Sequence, residues 1–277
     1  MKEEQLPDIG RVTTETIDGL RIRLSRSGLP DGIPILFTSP WPESIYAFHR
    51  VLPQFVEAHP VIAVDLPGFG QSDSRPDIMA PRAMGRFLVN LTEHLNIQRL
   101  HGVGPDVGAL AFLFAAADRP ELFESLSVGG AATRVDLAAG VLRQVIASPQ
   151  GAFAALDGAD VVRDYLSQAE KITPRAVVED FRAASAGRRF EDAAQFVRAY
   201  NVDLPLLEQC LRQIHTPVLV IAGRNDAIVP AANNQLLADH LPRGRLSLLE
   251  AGHRAWEEAT EDYSTQIKDW CGGGYLA

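Results

Sequence analysis

The chain has 277 residues, 46% of them hydrophobic, enough for one large α/β domain with an insertion and with no need of a second independent domain. Its formal charge of −9 excludes nucleic acid as an expected partner, because a polyanion is repelled by an acidic surface. No stretch approaches the ~20 apolar residues of a membrane span, and the polar, acidic residues 1–10 hold no apolar core of signal-peptide length, so a cytoplasmic protein without a membrane partner is expected.

Residues 12–17 and 20–25 alternate apolar and polar side chains around Asp18-Gly19, which predicts a hairpin. Continuous apolar runs at 33–37 and 61–64 predict buried strands, and 99–103 reads as a further short buried strand. Residues 45–55 and 83–95 carry helical spacing, and 109–116 reads as an apolar helix. Strand character returns at 126–130, 218–223 and 246–249, with a helix over 231–240 between the last two. Strands and helices that alternate imply a mainly parallel sheet covered on both faces. Residues 133–212 break the pattern: they hold no convincing strand, and helices are predicted over 137–147, 161–169, 175–184 and 190–200. Such a block between two strands is expected to lie over the strand ends as a cap, where open α/β sheets bind ligands. Cys210 and Cys271 match no metal spacing and fit a thiol-reducing compartment. No metal cluster, phosphate loop or nucleotide fingerprint is present, so no cofactor is expected.

The turn Gly104-Pro105-Asp106-Val107-Gly108, between a strand and a helix, has the form G-x-nucleophile-x-G. A carboxylate at its centre is already ionised at neutral pH and needs no base before it attacks carbon. Asp226 follows the strand 218–223, and His253 follows the strand 246–249. The order Asp106, Asp226, His253 is nucleophile, acid, histidine, each just past the carboxyl end of a strand. Each residue alone has a plainer reading: Asp106 as a helix N-cap, Asp226 as a turn former, His253 as an inert loop residue.

Over residues 12–270 the chain resembles the α/β-hydrolase superfamily. The resemblance rests on Asp65-Leu66-Pro67-Gly68-Phe69-Gly70-Gln71-Ser72-Asp73, the elbow at 104–108, the stretch from Pro217 to Asp226, and Ala251-Gly252-His253 with Glu257-Glu258 behind it. It implies an α/β fold with a mostly parallel eight-stranded sheet, a core of residues 1–132 and 213–277, and a helical cap of residues 133–212. The elbow aspartate points to the branch of epoxide hydrolases and haloalkane or haloacetate dehalogenases. There Asp106 forms an alkyl ester, His253 activates the water that cleaves it, and Asp226 orients the imidazole. The oxyanion donors implied are the backbone N–H groups of Val107 and Trp41. The loop departs from the family at Ser39-Pro40-Trp41-Pro42, where His-Gly-x-Pro is usual, and Pro40 has no N–H to give. The Trp41 side chain reads equally well as packing.

Dehalogenases of the family place Trp or Arg beside the nucleophile, Asn in the His-Gly loop, or Trp in the cap. This chain has Val107 beside Asp106, and its three tryptophans are Trp41, Trp256 and Trp270. Epoxide opening needs an acid for the ring oxygen, and Tyr165, Tyr200 and Tyr46 are candidates to contact substrate, each also readable as a packing residue. The expectation is therefore an epoxide hydrolase acting on a small, largely apolar organic substrate. The alternatives are a dehalogenase, a non-hydrolytic lyase or isomerase, and a ligand-binding pseudo-enzyme on the same fold.

Overall fold

The computed structural model describes residues 5–169 and 171–276; of the polar stretch 1–10, residues 1–4 lie outside the described residues. Strands β1 (Arg11–Ile17) and β2 (Leu20–Gly28) form the expected antiparallel hairpin. Asp18 and Gly19 both have positive φ, 51° and 77°, as a type I′ turn demands of its two central residues. Strand β3 (Ile35–Thr38) begins two residues later than the apolar run, because Pro34 has no N–H for the ladder. Its carbonyl still accepts from the His101 N–H at 2.9 Å.

Residues 45–55 correct the sequence reading. Two short 3-10 turns, Ile45–Phe48 and Leu52–Gln54, stand where one helix was expected. Pro53 cannot donate to the carbonyl four residues back, and it sits in the first turn of the second 3-10 segment.

The next elements are β4 (Pro60–Val64), α1 (Pro81–His94), β5 (Leu100–Pro105), α2 (Val107–Asp118) and β6 (Phe123–Gly129). Helix α2 buries all ten residues from Val107 to Ala116, which is why its sequence is apolar on every side.

Between β6 and β7 the described residues form helices and turns but no strand. The helices are α3 (Gly140–Ala147), α4 (Gly158–Val161), α5 (Arg163–Ala169), α6 (Arg175–Ser185), α7 (Arg189–Arg198) and α8 (Tyr200–Cys210). The expected helix over 161–169 is broken at Val162, and 137–139 precedes α3 rather than joining it. Helix α8 was hidden in the sequence by Pro205 in its interior. The carbonyl that Pro205 leaves without a donor belongs to Asn201, an exposed residue that water can serve.

The chain closes with β7 (Val218–Gly223), α9 (Ala231–His240), β8 (Gly244–Leu249), α10 (Ala255–Glu258) and α11 (Thr260–Asp269), the last two not anticipated.

The sheet has eight strands in the order β1-β2-β4-β3-β5-β6-β7-β8. β2 pairs antiparallel with both neighbours, and every later pair is parallel. Side chains alternate between two apolar clusters, Leu36, Val64, Val128 and Val220 in one and Phe37, Ala63, Val103 and Ile221 in the other. Both faces are therefore covered, and the strands read as unbroken apolar runs. Parallel strands bring the carboxyl ends of β3, β5, β7 and β8 to one edge, where the candidate residues lie. Among the described residues no helix is long and apolar enough to cross a membrane.

Candidate active site

The elbow forms as its sequence suggests. β5 ends at Pro105 and α2 begins at Val107. Asp106 between them has φ 54° and ψ −122°, a strained backbone for a residue with a side chain. Its N–H donates to the Gly129 carbonyl at 2.8 Å, which ties the turn to β6. A Cβ at Gly108 would sit 2.0 Å from Thr38 Oγ1, so only glycine lets α2 pass this close to β3. The Asp106 side chain makes no helix-capping bond. The N-cap reading therefore fails, and the carboxylate lines a cavity instead.

Two backbone donors reach that carboxylate. The Trp41 N–H donates to Asp106 Oδ2 at 2.8 Å, and the Val107 N–H also hydrogen-bonds it. The altered loop is thus compatible with a donor pair. Ser39 N–H is engaged by the Val64 carbonyl at 3.0 Å, Pro40 has none, and Trp41 presents the next amide along. Burial raises the Asp106 carboxyl above its ordinary range, while the His253 charge and the two amides act against the rise.

His253 Nδ1 lies 2.8 Å from Asp226 Oδ2. Asp226 Oδ1 meanwhile accepts from the Ile228 and Val229 N–H groups, both at 2.8 Å. Asp226 is therefore a turn former and an imidazole partner at once, one oxygen for each role. A carboxylate acceptor makes Nδ1 the protonated nitrogen and leaves the Nε2 lone pair free. Burial disfavours the charged ring, yet the Asp226 hydrogen bond and the charges of Asp226 and Asp106 prevail and hold His253 above its ordinary value.

Asp106 and His253 open onto one cavity of about 120 Å³. Trp41, Tyr165 and Tyr200 also line it, and its remaining walls are aliphatic or aromatic, drawn largely from the helical segment: Leu142, Val145, Val161, Val197 and Phe190. The Trp41 ring packs on Phe190 at 4.9 Å between centroids, so both readings of Trp41 hold, its amide serving Asp106 and its ring the wall. Tyr200 is 2% exposed, and burial together with the Asp106 charge keeps its phenol protonated far above the usual range. The Tyr165 hydroxyl oxygen lies 2.8 Å from Glu43 Oε1, within hydrogen-bond distance.

Tyr46 is a correction: it does not line the cavity. The 3-10 turn Ile45–Phe48 buries it in the apolar cluster on one face of the sheet, with the Arg23 guanidinium 5.6 Å from its ring centre.

Sequence reasoning assigned no role to Glu43, Arg254, Trp256 or Glu257, which form a buried polar group beside the cavity. Their only signal was charge and an indole nitrogen inside otherwise apolar packing, visible once the fold joins segments more than two hundred residues apart. No three His, Cys, Asp or Glu side chains group to hold a metal ion among the described residues. Cys210 and Cys271 are free thiols.

The family model for the alpha/beta hydrolase fold matches residues 33–260. An uncharacterized hydrolase of Bacillus subtilis, YugF, is 26% identical over 92% of this chain and 96% of its own length. A pimeloyl-[acyl-carrier protein] methyl ester esterase of Neisseria meningitidis is 25% identical, covering 92% and 99%. A soluble epoxide hydrolase of a Corynebacterium species is 30% identical over a shorter match, 40% of this chain and 38% of that one. The crystal structure of a hydrolase from Pseudomonas aeruginosa superposes with a TM-score of 0.80 at 22% identity, over 96% of this chain and 100% of the other. With its eight-stranded sheet, its elbow and a match that spans most of its length, this chain belongs to the alpha/beta hydrolase fold family.

Proposed function

We propose that the protein hydrolyses a small, uncharged, largely apolar epoxide through an alkyl ester on Asp106. The observation that carries this reading is a carboxylate at the elbow, with one oxygen held by the Trp41 amide and a protonated phenol, Tyr200, on the same cavity. The Asp106 carboxylate attacks a ring carbon, the carbon–oxygen bond of the epoxide breaks, and Tyr200 gives its proton to the leaving oxygen. His253 Nε2 then takes a proton from water, and the resulting hydroxide attacks the ester carbonyl. The Trp41 amide already holds Oδ2 of this carboxyl group, and it and the Val107 amide are the donors for the oxygen on which negative charge develops. The alkyl oxygen leaves as an alcohol with the proton from His253, and the proton released with the Asp106 carboxylate restores Tyr200. Epoxide and water give a diol. The helices of residues 133–212 act as the cap that keeps bulk water from this chemistry, over a core of residues 1–132 and 213–277. Two free thiols suit a reducing cytoplasm.

Esterase activity, the activity named for the Neisseria relative, suits this elbow poorly. A carboxylate that attacks an acyl carbon makes an anhydride, and it leaves again more readily than the alkoxide it must expel. Halide displacement is also less well served. Among the described residues, Trp41 is the one indole on the cavity, and no asparagine or arginine lines it.

One turnover in oxygen-18 water, followed by mass analysis of the Asp106 peptide, tests the reading. Label enters the Asp106 carboxylate if the ester forms and is cleaved by water. His253→Gln is expected to accumulate the ester, and Asp106→Asn to lower the rate by about 10⁴-fold. Turnover of epoxides that never labels Asp106 would overturn the ester route.

A further inference from the structure

Glu43 follows the loop that supplies the Trp41 amide, and none of the steps above uses it. Its carboxyl is fully buried. Oε2 accepts from Trp256 Nε1 at 3.0 Å, and Oε1 lies 2.8 Å from the Tyr165 hydroxyl, which belongs to helix α5 and lines the cavity. Neither partner is a cation. The nearby guanidinium of Arg254 contacts Glu257 Oε2 at 3.1 Å and lies 5.4 Å from the Tyr165 ring centre, and Thr173 Oγ1 donates to Glu257 Oε1 at 2.7 Å. Two buried carboxyl groups thus face one guanidinium, and Glu257 holds it.

A buried carboxylate with only neutral donors and a second carboxylate nearby is costly, and protonation removes the cost. The indole N–H can only donate, so Oε2 must accept and the proton of a neutral Glu43 sits on Oε1. That proton points at the Tyr165 oxygen. We propose that Glu43 is a positioning residue held as a neutral acid, whose Oε1–H donates to Tyr165 and so turns the Tyr165 O–H into the cavity as a second donor beside Tyr200. An ionised Glu43 would do the reverse, claiming the Tyr165 proton and leaving only oxygen lone pairs facing the substrate. Burial and the Glu257 charge both raise the Glu43 carboxyl well above its ordinary range, against the pull of Arg254. The consequence for substrate is a site that offers two hydroxyl donors to one oxygen. The catalytic part of this inference rests on the epoxide reading; the protonation of Glu43 does not.

Two measurements separate them. An infrared difference spectrum of wild type against Glu43→Gln, taken on resting enzyme at neutral pH, is expected to show the carbonyl stretch of a protonated carboxyl in wild type alone. A difference confined to carboxylate bands, or a protonated-carboxyl band that persists in Glu43→Gln, overturns the proposal. Turnover of an apolar epoxide gives the second. Glu43→Leu and Tyr165→Phe are each expected to lose about tenfold, the worth of one hydrogen bond. Glu43→Gln is expected to rescue most of that loss, because the Trp256 N–H orients its carbonyl and leaves the amide to donate to Tyr165. A Gln variant as slow as the Leu variant would show that the charge of Glu43 matters and would also overturn the proposal. Should wild type turn over no epoxide at all, the epoxide reading fails, while the infrared result still decides the state of Glu43.

Discussion

Two buried charge clusters fasten the helical segment to the sheet, and they are built differently. In the first, Arg23 on β2 contacts both carboxylates directly. Its Nε donates to Asp65 at 2.6 Å, and its two terminal nitrogens grip Asp180 on α6 at 2.8 and 2.9 Å. Ser44 and Gln71 each add a bond to Asp180 at 2.5 Å. The second cluster also has two buried carboxyl groups and one guanidinium, but Arg254 pairs with Glu257 and, more distantly, with the exposed Glu258, and Glu43 hydrogen-bonds a phenol and an indole. The composition is the same and the wiring is not. A carboxylate gripped by a planar guanidinium acts as a lock. A carboxyl with neutral donors can keep its proton and direct a neighbouring hydroxyl. The first cluster lies beside Tyr46, away from the cavity, and the second touches the cavity through Tyr165.

Matched neutralising substitutions test this contrast most sharply. Asp180→Asn leaves part of the Arg23 charge buried without a partner and is expected to cost about 3–5 kcal/mol of stability, measured by denaturant unfolding. A loss under about 1 kcal/mol would mean that the first cluster is no lock. Next comes the pair of cavity tyrosines. Among the described residues no carboxyl hydrogen-bonds Tyr200 as Glu43 does Tyr165, so Tyr200→Phe is expected to slow ester formation by about 10²-fold, more than Tyr165→Phe. Single-turnover rates check that order, and its reversal would transfer the main acid role to the Glu43 side of the cavity.

The pH profile is a subtler test. Ester cleavage requires neutral His253, whose value is raised above the ordinary 6.5, so the rate should fall as pH drops through that raised value and level off above it. Asp226→Asn removes the hydrogen bond and charge that raise it, and should shift this acid limb to lower pH while slowing turnover. A limb that stays in place would assign it to another group. The smallest effect closes the comparison: Glu43→Gln is expected to change stability by less than about 1 kcal/mol, since the amide replaces an acid that is already neutral. A cost as large as that of Asp180→Asn would make the two clusters alike.

Parts of this molecule were legible before it folded. The hairpin turn was readable because Asp18-Gly19 satisfies a backbone demand that few dipeptides meet. The central strands were readable because two-sided burial leaves a short apolar run, and run length separates these strands from the longer buried helix α2. The elbow was readable because Gly104, Asp106 and Gly108 sit at a strand–helix junction where side-chain size and backbone strain constrain the residue type. Prolines defeated the same reasoning twice, Pro53 lying where one helix over 45–55 was expected and two short turns formed, and Pro205 failing to end α8, because whether a lost N–H matters depends on the surroundings of the carbonyl it leaves.

What the sequence determined by itself was local: period, turn chemistry, and the order of three residues past three strand ends. What only the tertiary structure decided was partnership. It separated Tyr165 and Tyr200 from Tyr46, set the Trp41 amide against Asp106 across 65 positions, and gave Arg254 to Glu257 rather than Glu43. Hydrogen bonds and charges act over a few ångströms of space, and separation along a chain carries almost no information about that distance until the sheet has closed it.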